Sequence, residues 1–317
     1  MALGPRVCLD AARLAADLGY GSYWVAETTG PEAFSLLGAV SQAAPGLDLA
    51  TGVLALQLRT PPLAAMAAAT LQAMVPDREV LLGIGISSPV VAGRWHGRGE
   101  TDRPLARVRE YVALVRACLS GERVDFDGDF WSVKGFRLGV RLGERRPKIV
   151  IGALGERMLR LAGEIADGVL LNYLPASHVP WSVEQVRRGG DATVYAYVHV
   201  GVTERTPDAM ARARYDLFSY AVVDAYAESF RRAGFGDDVD EIRARHAAGD
   251  REGALAAVSD RFVDAIDFVG TEEEVAARVR AYAAAGVEVP VVFPLPWGDD
   301  RWGVIAATMR AAAASTR

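Results

Sequence analysis

Apolar runs and helical periods alternate along this chain. Residues 22–27 (SYWVAE) read as a short strand, and 31–44 as a helix. Residues 47–56 (LDLATGVLAL) predict a strand, 61–75 an alanine-rich helix with proline in its first turn, and 79–86 (EVLLGIGI) another strand. Leu105, Val108, Val112 and Val115 recur at helical spacing, which predicts a helix over 103–119. Residues 148–154 (KIVIGAL), 168–174 (GVLLNYL), 193–202 (TVYAYVHVGV) and 289–295 (VPVVFPL) read as strands. Helices are expected over 156–166, 271–285 and 302–314, and Thr271 with Glu274 fits a capping box.

Seven near-continuous apolar strands, mostly separated by helices, predict a parallel sheet covered by helices. No Pro/Ser linker, repeat or composition break interrupts the pattern. The fold class expected is therefore α/β, a single (β/α)8 TIM barrel over residues 1–317. Two features break the regularity. Residues 204–268 are almost wholly helical and read as a helical insert. The first barrel strand is shortened to a stub around residues 2–4 or is missing.

Composition narrows the function classes. The 317 residues carry 35 Lys+Arg against 40 Asp+Glu, a net charge of −5. This balance argues against a nucleic-acid or anionic-membrane binder. Cys8 and Cys118 lie too far apart for a metal motif and rule out a disulfide scaffold. No signal peptide opens the chain, and the longest uncharged run, 60–76, is too weakly apolar to span a bilayer, so a cytoplasmic protein is expected. Only Lys134 and Lys148 are lysines. Lys148 starts its strand, on the face opposite barrel catalysis, which argues against Schiff-base chemistry.

Candidate chemistry follows from position. Glu27 closes a strand, where barrel enzymes place functional groups; the bland alternative is an acid capping the next helix. His96 lies in a strand-end loop and could serve as an acid or base. His178, His199 and His246 complete the histidines, none at metal-ligand spacing, and His199 reads as a satisfied core residue. No metal site is expected. Gly83 and Gly85, followed by Ser87, lack a third glycine and a following helix, so the segment is no dinucleotide fingerprint. Those glycines allow either close packing or the approach of a flat ligand. Gly152-Ala153-Leu154-Gly155 ends a strand and opens a helix, either an anion site or an ordinary tight turn. Asp167, between a helix and a strand, reads as structural.

Three segments read together carry a resemblance: 49–99 (from LATGVLALQLRTPP to GRWHGRG), 103–131 (RPLARVREYVALV to DFDGDFW) and 151–174 (IGALGERMLRLAGEIADGVLLNYL). The chain resembles the bacterial luciferase-like monooxygenase superfamily, and more narrowly the branch using the deazaflavin coenzyme F420, which includes methylenetetrahydromethanopterin reductases. The resemblance implies a cis peptide at Gly52-Val53, the coenzyme phosphate on Gly152, Ala153, Leu154 and Gly155, and Gly83, Gly85 and Ser87 beside the ring or its side chain. It places Glu27 near the redox face, with His96 as a second proton-exchanging candidate. Thr28 stands where many relatives carry histidine.

The activity implied is hydride transfer between coenzyme F420 and a small organic substrate. The alternatives are an FMN-dependent two-component monooxygenase, a non-catalytic flavin- or deazaflavin-binding protein, and an unrelated phosphate-binding barrel. A small-molecule substrate is expected, with no nucleic-acid or membrane partner, and homodimers are common among such barrels.

Overall fold

The computed structural model describes residues 4–98 and 102–315. Strands and helices alternate much as the apolar pattern requires. The chain opens with α1 (Pro5–Leu18), β1 (Ser22–Val25) and α2 (Ala33–Ala43), followed by β2 (Asp48–Thr51), β3 (Leu54–Ala55), α3 (Pro61–Met74) and β4 (Val80–Gly85). After α4 (Pro104–Leu119) come β5 (Val124–Asp127), β6 (Ser132–Phe136), β7 (Lys148–Gly152), α5 (Glu156–Ile165) and β8 (Gly168–Leu171). Then α6 (Val179–Arg187) leads into β9 (Thr193–Val202).

Helices fill most of the next stretch: α7 (Pro207–Ala221), α8 (Asp224–Phe230), α9 (Gly236–Ala247), α10 (Arg251–Ala256) and α11 (Asp260–Ile266). The described chain closes with β10 (Phe268–Gly270), α12 (Glu272–Ala284), β11 (Val289–Pro294) and α13 (Arg301–Ala314). Residues 2 and 3 of the expected first strand lie outside the described residues. Gly4 directly precedes α1 as its N-terminal flank.

Contacts divide the chain into two units. The first runs to residue 153 and takes in 160–170 and 188–192; the second takes 154–159, 171–187 and the chain from 193 on. In the first unit β1, β2, β4, β7 and β8 pair in that order, all parallel, and β3 pairs with β4. β4 is buried at every position, as a central parallel strand should be. Asp167 is structural: its Oδ2 accepts the Ile149 N–H at 2.7 Å and ties the start of β8 to β7.

In the second unit β9 pairs in parallel with β11 along Tyr195–Val200 and with β10 along Val200–Val202. The helices from α7 to α11 share one apolar core, joined by Tyr173 from the segment after β8. Phe262 takes Phe235 in a stack at 4.6 Å and Phe230 edge-on at 4.9 Å.

The capping box of α12 is present. The Glu274 N–H donates to Thr271 Oγ1 at 3.3 Å, and Glu274 Oε2 accepts the Thr271 N–H at 2.9 Å. Replacing Thr271 with alanine removes one half of this reciprocal pair. Thr271→Ala is expected to cost about 1 kcal/mol in urea unfolding, and an unchanged midpoint would contradict it.

Candidate functional site

Residues 26–32 connect β1 to α2, and Glu27 sits in that gap. Its side chain is 12% exposed and binds two ways. Oε1 accepts the Ala33 N–H at 3.2 Å and Arg59 Nη2 at 3.0 Å, while Arg59 Nε reaches Oε2 at 3.5 Å. The helix-cap alternative for Glu27 is therefore partly real, but the same oxygen also holds a guanidinium. Arg59 bridges onward to Glu32, which caps α2 by accepting the Phe34 and Ser35 amides at 3.2 and 2.7 Å. Partial burial works against ionising Glu32, yet those amides and Arg59 prevail and hold its carboxyl below the ordinary value. The guanidinium also lies 5.2 Å from the Phe34 ring centroid.

His96 is exposed, and its Nε2 lies 2.9 Å from the Thr28 carbonyl oxygen. A carbonyl only accepts, so Nε2 carries the proton and Nδ1 is left as the basic nitrogen of the neutral ring. The carbonyl that anchors His96 follows Glu27 by one residue.

The strand expected over residues 47–56 is broken into β2 and β3. The Gly52-Val53 peptide between them is cis, as the resemblance implies. At the break the Thr51 hydroxyl replaces a ladder partner. It accepts the Gly83 N–H and donates to the Gly83 carbonyl, both at 2.8 Å.

The Val53 side chain then occupies space that three glycines leave open. A Cβ on Gly83, Gly85 or Gly152 would lie 3.2, 3.0 or 3.3 Å from a Val53 methyl. These glycines thus have a packing reason: they admit Val53 to the surface of β4 and β7. Ser87 is held by its backbone, through its N–H to Gln57 Oε1 and its carbonyl to Gln57 Nε2, both at 3.3 Å.

In the strand-to-helix loop the Ala153 N–H is committed to the Leu170 carbonyl at 3.2 Å. The positive end of α5 follows directly. A Cβ on Gly155 would meet no atom within 4 Å.

The second unit holds a buried polar cluster. His199 on β9 and Asp267 before β10 are 3% and 0% exposed, and His199 Nδ1 lies 3.0 Å from Asp267 Oδ1. Asp216 on α7 accepts the Tyr173 hydroxyl at 2.6 Å. Tyr173, left-handed at φ 49°, packs edge-on against His199 at 4.3 Å. Burial pushes both carboxyls up to about 7 and the imidazole down to about 4.

The luciferase-like monooxygenase family model matches residues 3–288. The chain belongs to this family. A Mycobacterium tuberculosis protein provisionally named a coenzyme F420-dependent oxidoreductase is 29% identical over 310 residues, covering 88% of each chain. A 5,10-methylenetetrahydromethanopterin reductase of Archaeoglobus fulgidus is 29% identical over 311 residues, covering 91% of this chain and 89% of the relative. Among solved structures, the F420-dependent tetrahydromethanopterin reductase of Methanopyrus kandleri superposes with a TM-score of 0.76 at 19% identity. That match covers 97% of this chain and 94% of the other. The likeness shows the fold: an α/β chain of the TIM-barrel, luciferase-like kind.

In this luciferase-like chain the structure brings Glu27 and the loop anchoring His96 to the end of β1, and Gly52, Val53, Gly83, Gly85 and Gly152 to one bulge. Sequence reasoning missed Arg59, Asp216 and Asp267. Arg59 had one available signal, a basic residue just before an otherwise uncharged helix. Asp216 and Asp267 had none, because the three elements meeting at His199 are far apart in the chain. No helix among the described residues is long and apolar enough to cross a membrane.

Proposed function

We propose that this luciferase-like oxidoreductase transfers a hydride between the deazaflavin coenzyme F420 and a small organic substrate. The observation that carries this reading is the likeness, over about nine tenths of the chain, to relatives named for F420 or for a methylenetetrahydromethanopterin reduction. The strand-to-helix loop fits the coenzyme's phosphate. The amides of Leu154 and Gly155 precede the positive end of α5, and the space at Gly155 is open for an anion to approach the backbone. Gly152 and Ala153 set the turn.

When bound, the coenzyme supplies the hydride-carrying carbon; the protein binds, orients and shields it. Val53, seated among Gly83, Gly85 and Gly152, would give the ring an apolar backing, and Ser87, its backbone fixed by Gln57, would help hold the coenzyme. Glu27 would exchange the proton that accompanies the hydride at a carboxylate oxygen, oriented by Arg59. His96 Nδ1 is the second basic atom at this end of β1.

The test is fluorescence titration of the purified protein with F420 and, separately, with FMN. F420 is expected to bind at least tenfold more tightly. Preference for FMN would move the assignment to a two-component monooxygenase, and binding of neither would overturn the enzyme reading. Glu27→Gln is expected to leave F420 affinity within twofold and to slow turnover about 100-fold or more. Normal turnover would remove Glu27 from the mechanism.

A further inference from the structure

The buried cluster of the second unit sets three electron-pair donors against one another. Asn172 Oδ1 accepts the Tyr173 N–H at 3.0 Å, which fixes that atom as the amide oxygen. His199 Nε2 lies 3.0 Å from the same oxygen and must therefore carry a hydrogen. The neutral imidazole is then locked in one tautomer, with the lone pair of Nδ1 directed at Asp267 Oδ1, 3.0 Å away. Asp216 brings a second carboxyl to the same cluster, with an oxygen within 4.8 Å of the Asp267 and His199 ligand atoms.

Only one proton reaches this group from outside among the described contacts, that of the Tyr173 hydroxyl on Asp216. Asp267 Oδ2 is buried without any hydrogen-bond partner, in a residue that is 0% exposed. Two carboxylates in such a setting require compensation.

We infer that His199, Asp216 and Asp267 form a binding site for a divalent cation of the zinc class. One ligand atom from each lies within 4.8 Å of the other two. Ligands around zinc, each about 2.0–2.2 Å from the ion, stand roughly 3–4 Å apart, so a small inward movement completes the set. An imidazole nitrogen with two carboxylate oxygens suits zinc, and the ion's two charges match the two carboxylates. Three protein ligands leave the fourth tetrahedral position to a water.

The surroundings have the form that metal sites use. His199 donates its other N–H to an amide oxygen that is itself hydrogen-bonded, and Asp216 is held by a tyrosine. The ring is further clamped by Phe293, stacked at 4.7 Å, and by Tyr173 edge-on. The ligands come from β9, α7 and the segment before β10, so no sequence spacing announces them.

The test uses the full chain, stripped with EDTA and dialysed. Zinc is titrated by calorimetry, and cobalt(II) by the visible absorption of a low-coordinate ion. Wild type is expected to bind one ion per chain and to melt at higher temperature with zinc present. Asp216→Asn and Asp267→Asn are expected to abolish the cobalt spectrum. Asn172→Ala is expected to weaken zinc roughly 10- to 100-fold, because it frees the imidazole. His96→Ala, outside the cluster, is expected to bind as wild type.

No stoichiometric binding by wild type would overturn the inference and leave protons as the compensating charge. Unchanged binding in Asp216→Asn would overturn it too. That position is only half-buried, so it serves if the fully buried Asp267→Asn does not fold.

Discussion

Gly83→Ala is expected to lose about 3 kcal/mol or more of stability, as an overpacked core does at the upper end of its range. The cause is local and specific. A Cβ built on Gly83 falls 1.9 Å from the Thr51 carbonyl oxygen and 3.0 Å from its carbon. Both are backbone atoms, so no rotamer change relieves the clash. Moving β2 away from β4 breaks the two hydrogen bonds through which the Thr51 hydroxyl serves Gly83. Thr51 is 1% exposed, so water cannot replace them.

Gly155→Ala is the control. It sits at the candidate phosphate loop, but its added methyl meets open space, and its stability is expected to stay within about 0.5 kcal/mol of wild type. Urea unfolding of the two variants checks both. Equal stability would mean that β2 and β4 are not held in this register, and the packing reason for Gly83 would fall.

The same bulge marks where the sequence stops being legible. An apolar run over residues 47–56 reads as one strand, because periodicity senses burial and not the direction of the backbone. Residue for residue, β9 matches its prediction, since seven of its ten residues are Thr, Val or Tyr and leave no competing period. β10 has only three residues, too few for any pattern.

The hairpin of β5 and β6 lies between the helix expected over 103–119 and the strand expected over 148–154, where the apolar pattern predicts no element. Of its strand residues only Val124 is buried, so the apolar signal is weak. The alternation Val124-Asp125-Phe126-Asp127 before Gly128 is the cue it does offer. Among site residues, Glu27 is visible because a strand end is a position. Arg59 and the acids around His199 are partners across space, and one-dimensional patterns carry no such information.

Arg59→Ala is expected to be the second large effect, about 3 kcal/mol, because it strands a mostly buried carboxylate. The Arg59 and Glu27 side chains are 18% and 12% exposed, so solvent screens their pairing only in part. The substitution also removes the contact with the Phe34 ring and the charge facing Glu32 at the start of α2. Arg59→Lys is expected to fall between, since one ammonium cannot serve both carboxylates with the planar fork that Arg59 uses.

A double-mutant cycle with Glu27→Gln separates two roles for the acid. If Glu27 chiefly anchors Arg59, the two losses are strongly non-additive, with a coupling above about 1 kcal/mol. If the coupling is near zero, the carboxylate is solvated and not anchored, and Arg59 has no part in orienting it. The turnover loss of Glu27→Gln then has to be explained without the guanidinium. A loss in Arg59→Ala below about 1 kcal/mol would point the same way, because that is the range of an exposed pair.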